Sequence, residues 1–390
     1  MTIKLYYNNP YITEFTSEVS EIKQVEDKYH IVLKETGFYP EGGGQPCDLG
    51  EIQGIKVEYV YEEDEKVYHV LNKPIERTIV FCEIDFNRRF DHMQQHSGEH
   101  LLSGAFFKLY GGKNLGFHLG VDYVTIDISL QEVSKEMVEK AEKMCNEVIM
   151  KNIPIKCYVV NKDQLSSVPI RKETSVTQDI RIVEIEKTDY SACCGTHVNN
   201  TCEIGLLKII KVEKYKGNSR IYFKCGHRAL KDYEKKHEIV TELVKLLSAE
   251  EQSITAKIDN MNKTIKDNNK AISDLKRQIC EFHVEAILKE LKQDTYKKLY
   301  EDKSFDEISE IGKLLVQENI DVLIGSSKEN MILLASKEDS KLDCGKIFKT
   351  SIKSFNGKGG GSKNRAQGSF NCKEELLEFY NYLNSEIENI

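Results

Sequence analysis

His96-Ser97-Gly98-Glu99-His100, continued by Leu101-Leu102-Ser103-Gly104-Ala105-Phe106, is the stretch on which the fold turns. Leu101, Leu102, Ala105, Phe106 and Leu109 recur at helical spacing, and Gly111-Gly112 stops the run. A helix here stacks His96 and His100 on one face, about one turn apart. A second pair at the same spacing lies in Cys193-Cys194-Gly195-Thr196-His197. It follows the alternating, strand-like segment 180–185, so a loop is expected there. Either pair alone fits an ordinary packed or solvated face; two in one chain point to metal. Three imidazoles and a thiolate form the tetrahedral Cys-His₃ set that zinc prefers. One Zn²⁺ per chain is therefore expected on His96, His100, Cys193 and His197. Cys193 is taken as the sulfur ligand over Cys194 from its spacing to His197.

Composition sets the class. A chain of 390 residues, 40% hydrophobic and 30% charged, describes a soluble protein of two or three domains. The first ten residues lack an apolar signal core, and no run approaches the roughly 18 residues of a membrane span. No membrane partner is expected. Eleven scattered cysteines, an odd number, do not form a secreted disulfide framework, and a reducing cytoplasm fits them best. The net charge of −8 argues at first against a nucleic-acid partner. A local basic patch reverses that reading: Lys341, Lys346, Lys349, Lys353, Lys358, Lys363 and Arg365, interrupted only by Asp343.

Four segments follow. Residues 1–88 read as short alternating strands (29–33, 56–61, 66–70 and 79–82) of a β-barrel-like domain that contains a Gly-rich loop. Residues 89–227 mix helices and strands as an α+β domain around the metal ligands. Ser129 and Glu132 form a capping-box signal for a helix running to about Lys151. Residues 228–300 carry a heptad seam with neither glycine nor proline. Val240, Leu247, Ile254, Met261, Leu275 and Phe282 make one series, and Val244, Ile258, Ile265, Ile272 and Ile279 the other. The phase holds across Asp267-Asn268-Asn269, which predicts one continuous helix over 240–286, and its apolar stripe predicts a homodimer. Residues 301–390 form a small α/β domain with strands at 320–324 and 331–335, a Gly-rich basic loop over 355–368, and a final helix.

Phe38-Tyr39-Pro40-Glu41-Gly42-Gly43-Gly44-Gln45 sharpens the picture. No Gly-Lys-Ser/Thr follows, so this is not a P-loop; its glycines suit close approach of backbone to a ligand. Gly42-Gly43-Gly44-Gln45, then the His-x₃-His pair, then Cys-x-Gly-Thr-His, in that order, resemble the editing domain of alanyl-tRNA synthetases. Arg88-Arg89 ahead of Met93-Gln94-Gln95-His96, and Arg220-Ile221 ahead of Cys225-Gly226, fit the same pattern. The whole chain is similar to the free-standing alanyl-tRNA editing proteins of the long AlaX type. That resemblance implies hydrolysis of serine, and second of glycine, from mischarged tRNA(Ala). It places Gly42, Gly43, Gly44 and Arg220 at the substrate. Gln45, Gln94 and His118 become candidates to sense the hydroxyl or ammonium. The C-terminal segment resembles the C-terminal domain of alanyl-tRNA synthetases, shared with DHH-type phosphoesterases. Only Asp91-His92-Met93 occurs here, so phosphoesterase activity is not expected. Lys358, Gly359, Gly360, Gly361, Lys363, Arg365 and Gln367 are the expected tRNA contacts, through cations and backbone N–H groups meeting phosphates.

Two chemistries remain open at the centre. Zinc can polarise the carbonyl or activate water, yet four protein ligands ordinarily describe a closed site. Either one ligand is loose, or zinc only positions the substrate while another group handles the water. Cys193 with His197 can also be read as a nucleophilic thiol and its base. His96-x-x-Glu99-His100 matches the inverted zinc-peptidase pattern with Glu99 as base and Glu184 or Glu186 as third ligand, but that reading leaves the Gly-rich loop and the Cys-x₃-His pair unused. In a non-enzymatic alternative, zinc only stabilises a tRNA-binding protein. Nothing in the sequence could house an aminoacylation domain, so action in trans is expected.

Overall fold

The computed structural model describes residues 1–171 and 179–388. The chain is mixed α+β and divides into two compact units, Met1–Glu242 and Leu243–Ile390.

In the first unit, six antiparallel strands close into a barrel. They are β1 (Glu14–Val25), β2 (Lys28–Leu33), β3 (Gly50–Ile52), β4 (Ile55–Glu63), β5 (Lys66–Leu71) and β6 (Ile79–Ile84), paired in the order β1-β2-β5-β4-β3-β6 and back to β1. Alternation explains the closure: in β6, Val80, Cys82 and Ile84 are buried while Ile79, Phe81 and Glu83 are exposed. The inward set packs with Ile31, Leu33, Ile52, Val60 and Leu71.

Helix α1 (Phe86–Tyr110) leaves the barrel directly and forms the axis of the rest. Asp85 caps it by accepting from Arg88 N, and Gly111 ends it in the left-handed conformation. It begins ten residues before His96, so the histidine pair sits in mid-helix. From His92 to Phe106 every residue is buried, so this helix is enclosed on all sides. One wall is the antiparallel sheet β12-β13-β8-β7, made from β7 (Asn114–Leu119), β8 (Val124–Ile128), β12 (Leu207–Tyr215) and β13 (Asn218–Cys225). A second is α2 (Lys135–Met150), which shares the core of Leu101, Leu102, Phe106, Cys145 and Ile149. The expected cap at Ser129 is not used; Ser134 Oγ accepts from Met137 N instead, while Ser129 Oγ accepts from Lys113 N. The sheet β9-β10-β11 (Ile155–Val160, Ile180–Ile185, Asp189–Ala192) leads into the Cys193 loop.

Arg89 fastens α1 to the barrel module. Its Nε donates to both oxygens of Asp48 at 2.9 and 3.0 Å, Nη2 to Gly37 O and Asp48, and Nη1 to Pro10 O; Arg89 and Asp48 are both fully buried.

The expected continuous helix over 240–286 is interrupted. Helix α3 (Gly226–Leu247) ends at Ser248, whose φ of 47° is left-handed, and Ala249 N closes the end by donating to Val244 O. Glu250 and Ser253 then cap each other reciprocally, and α4 (Ile254–Glu290) follows. Through Asp267-Asn268-Asn269 the helix is unbroken, as the heptad phase predicts. Serine in a left-handed position replaces the glycine that ordinarily marks such a stop.

In the second unit, strands β14 (Thr295–Tyr300), β15 (Asp321–Ser326), β16 (Met331–Ala335), β17 (Lys358–Ser362) and β18 (Arg365–Ser369) form one sheet in the order β14-β15-β16-β18-β17. Helices α5 (Phe305–Gln317), α6 (Cys344–Ser351) and α7 (Lys373–Glu388) cover it. The segment expected as a Gly-rich loop is instead the hairpin β17–β18, turning at Lys363-Asn364. Steric crowding accounts for two of its glycines: a Cβ at Gly359 would lie 2.2 Å from Gln367 O, and one at Gly361 2.0 Å from Arg365 O. Among the described residues no helix is long and apolar enough to cross a membrane.

Candidate metal centre

Each of the four expected ligands arrives by a different constraint. His96 and His100 stand one turn apart on α1. Cys193 and His197 are delivered by the loop after β11, which Arg181 clamps from below by donating to Cys193 O and Gly195 O at 2.8 and 3.0 Å. The ligand atoms of His96, His100, Cys193 and His197 all fall within 4.8 Å of one another. Cys193 Sγ is 3.4 Å from Nε2 of both His96 and His197. A tetrahedron built on Zn–N and Zn–S bonds has N···S edges of about 3.5 Å, so the donor set fits zinc.

The outer ring nitrogens support the same reading. His96 Nδ1 donates to Gln45 Oε1 at 2.8 Å, His100 Nδ1 to Asp189 Oδ2 at 2.8 Å, and His197 Nδ1 hydrogen-bonds Ser97 Oγ at 3.2 Å. The acceptor oxygens of Gln45 and Asp189 fix the tautomers of His96 and His100 that leave an Nε2 lone pair facing the centre, as metal-bound imidazoles require, and the Ser97 hydroxyl is compatible with the same tautomer of His197. Asp189 is in turn held by Arg171 Nε at 2.7 Å and by Ser191 Oγ at 2.9 Å.

Electrostatics favour an anionic sulfur. Burial pushes the Cys193 thiol up, but the neighbouring His96 and His197 rings and hydrogen bonds from His100 and His197 outweigh it, leaving the thiol well below its ordinary value. His197 is driven down to about 3, first by burial and then by His96. Burial also lowers His100, yet Glu99, Asp189 and Cys193 together raise it well above the usual imidazole range.

The glycines at the site are spacers. A Cβ on Gly195 would lie 2.2 Å from His96 Cε1, so only glycine lets the cysteine loop lie flat on that ring. Gly42 and Gln45 exchange two backbone hydrogen bonds across Gly43 and Gly44, whose φ angles are 58° and 84°, the conformation of a two-residue hairpin turn. This turn rests on Phe117, whose ring stacks on His96 at 4.9 Å. The three imidazoles are buried, Cys193 is half-buried, and Gly43, Gly44 and Cys194 are exposed. Exposed residues of the Gly-rich turn and of the cysteine loop thus flank the centre.

Of four expected pocket residues, Gln45 lies at the centre with its amide already engaged, and Gln94, His118 and Arg220 take other positions. Gln45 spends its amide on structure: Oε1 accepts from His96 and from Thr196 N, and Nε2 donates to Thr196 Oγ1. Gln94 sits two residues from His96, 200° around the helix, and bonds Glu203 O and His227 N on the far side. His118 is on the face of β7 opposite Phe117, in register with Thr125 and hence Tyr222. Arg220 shares that solvent face, paired to Asp127 at 2.7 Å and stacked on Tyr215 at 3.5 Å. Glu184 and Glu186, the carboxylates needed by a peptidase reading, are not among the clustered groups. Asp189, Arg171, Arg181 and Ser97 were not singled out from the sequence.

Comparison with known proteins agrees with this geometry. The family described as threonyl and alanyl tRNA synthetase second additional domain matches residues 180–222. The chain is 31% identical to alanyl-tRNA editing protein AlaX-L of Pyrococcus horikoshii, over 97% of this chain and 96% of that protein. It is 29% identical to alanyl-tRNA editing protein Aarsd1-B of Xenopus laevis, over 91% of this chain and 88% of the other. It is also 29% identical to an alanine–tRNA ligase of Pyrococcus furiosus, where 97% of this chain matches 43% of the ligase.

Proposed function

The chain belongs to the family of alanyl-tRNA editing proteins, and on that premise we propose that it hydrolyses the ester joining serine, and second glycine, to the 3′ end of tRNA(Ala). The convergence of three imidazoles and the Cys193 sulfur beside an exposed Gly-rich turn carries the reading. His96, His100, Cys193 and His197 would hold a zinc ion there, which when bound would supply a Lewis acid for the ester carbonyl or its attacking water. Gln45, Asp189 and Ser97 hold the three rings in the liganding orientation. Phe117 and the Gly42–Gln45 turn wall the approach. A second site of this kind answers a physical need: an apolar synthetic pocket rejects an added hydroxyl by only about 10²-fold. A pocket that hydrogen-bonds the serine hydroxyl leaves polar groups unpaired when alanine enters, and so spares the correct product.

The hairpin β17–β18 of the second unit is proposed to contact tRNA phosphates. Lys358, Lys363, Arg365 and Gln367 are all exposed along it, and Arg365 is steadied by Ser309 Oγ at 2.6 Å. One experiment tests both parts: deacylation of Ser-, Gly- and Ala-tRNA(Ala) by the full chain and by the Lys358→Ala/Lys363→Ala variant. We expect fast release of serine and little of alanine, with KM raised in the variant and a shallower salt dependence of binding. Equal rates on all three substrates, or none on any, would sink the assignment; a peptidase would cleave casein instead.

We also propose that α4 pairs with a second copy. Ile265, Ile272, Leu275, Ile279 and Phe282 are all more than half exposed along its seam, an apolar stripe that a lone helix of 37 residues leaves in water. The wild type is expected to sediment as a dimer and Ile272→Glu as a monomer; a wild-type monomer at micromolar concentration ends this proposal.

A further inference from the structure

Four acidic side chains are buried among the described residues: Asp48, Glu99, Asp189 and Asp321. Three have donors on both oxygens. Asp48 is held by Arg89 and Tyr39 N, Asp189 by Arg171, His100 and Ser191, and Asp321 by Lys337 N and Ser340 Oγ. Glu99 differs. Ser103 Oγ at 2.6 Å and Asn114 Nδ2 at 2.5 Å both donate to Oε1, and the Arg171 guanidinium lies 3.9 Å from the same oxygen. Among the described residues no donor is within hydrogen-bond distance of Oε2. That oxygen instead lies 3.7 Å from His100 Nε2, the nitrogen turned to the metal centre.

The Glu99 side chain is 6% exposed, and Oε2 takes no donor from the described residues, so it is free to accept a hydrogen bond from a ligand at the centre. Glu99 is not one of the four groups whose ligand atoms close to within 4.8 Å, so it stands beside the coordination set. We propose that Glu99 Oε2 accepts a hydrogen bond from the water that attacks the aminoacyl ester, which makes Glu99 a catalytic residue; this rests on the editing function proposed above. The water oxygen bonds to the carbonyl carbon, and the bond from that carbon to the ribose oxygen breaks. One hydrogen of the water ends on the ribose hydroxyl, and the other is released as the free amino acid ionises. Ser103 and Asn114 keep the carboxylate from rotating, so Oε2 is aimed before substrate arrives, as an efficient site requires.

Charge favours water over the substrate ammonium as the occupant. A divalent ion held by the four ligands would, together with Arg171, be balanced by Cys193, Asp189 and Glu99. A neutral water preserves that balance, whereas an ammonium would leave an excess charge in a buried site.

Glu99→Gln tests the assignment, because the amide oxygen can keep the Ser103 and Asn114 bonds while an NH₂ donor replaces the acceptor. We expect kcat on Ser-tRNA(Ala) to fall on the order of 10²-fold, with KM within about threefold. Zinc content should stay at one per chain, and the visible absorption of the cobalt(II)-loaded protein should be unchanged. Metal lost together with activity would make Glu99 a ligand and overturn the proposal. So would a raised KM at full kcat, which marks ammonium binding, or an unchanged kcat, which marks a structural carboxylate. Should Glu99→Gln not fold, Glu99→Asp, which keeps the charge but withdraws the oxygen, is read by the same four measurements. An inactive wild type overturns the editing reading with this one; an active wild type with an unaffected variant overturns this one alone.

Discussion

Cys193→Ala is expected to lose bound zinc and, with it, deacylation, with metal affinity down on the order of 10³-fold or more. The sulfur is the only anionic ligand in the set, and it is already poised as a thiolate by His96 and His197. Removing it leaves three imidazoles and no sulfur ligand, and it unpairs the Gly195 N–H, which donates to Sγ at 3.3 Å. Zinc content by atomic emission and the rate on Ser-tRNA(Ala) should fall together. Cys193→Asp separates a ligand from a nucleophile: an anionic oxygen can still coordinate, so part of the metal and of the activity should survive. A thiol nucleophile would instead lose all activity with the metal retained. Cys194→Ser is the control. Its side chain is exposed on the same loop, and no change in metal content is expected; loss there would move the sulfur ligand to Cys194.

The legibility of this site from sequence followed chain locality. His96 and His100 are one helical turn apart, so their shared direction is implied by local geometry, whereas Cys193 and His197 stand on a loop and only their residue types pointed to metal. Asp189, Arg171 and Ser97 act on those same residues across spans set by sheet pairing and helix packing, which no spacing rule reports. Asp189 reaches His100 because β11 pairs with β10 in one register, Ile185 opposite Asp189. The misplacements of Gln94 and His118 are of another kind, because the signal was present. Gln94 lies 200° from His96 on any α-helix, and His118 must face away from Phe117 on any strand. Membership in a motif was read as membership in a pocket, and phase decides otherwise. The second unit has a parallel case: the Gly-rich hairpin reads as a loop because glycine is a weak strand former, and only the 2.0–2.2 Å approaches at Gly359 and Gly361 explain it. The stop at Ser248 was hidden for the converse reason, since neither glycine nor proline marks it.

Arg89→Met should be the most destabilising single change in the first unit, by about 3–5 kcal/mol. The Arg89 guanidinium and the Asp48 carboxylate are both at zero exposure, so the charge that remains after substitution has no access to water. Its loss also strips donors from Gly37 O and Pro10 O, two carbonyls of the barrel module. Because these bonds join α1 to that module, the damage should extend to the Gly42–Gln45 turn and hence to Gln45, which orients His96. Urea unfolding of the zinc-loaded protein should show a lower midpoint with a similar slope. Arg89→Met/Asp48→Leu should recover much of the loss, since replacing both partners of a buried pair removes the uncompensated charge. The recovered protein should nevertheless bind zinc less tightly than wild type, because the turn that carries Gln45 is no longer fastened to α1. If the double variant unfolds as easily as the single one, the carbonyl contacts matter more than the ion pair. If Arg89→Met costs under about 1 kcal/mol, the level of an exposed pair, the fastening has been assigned to the wrong residue.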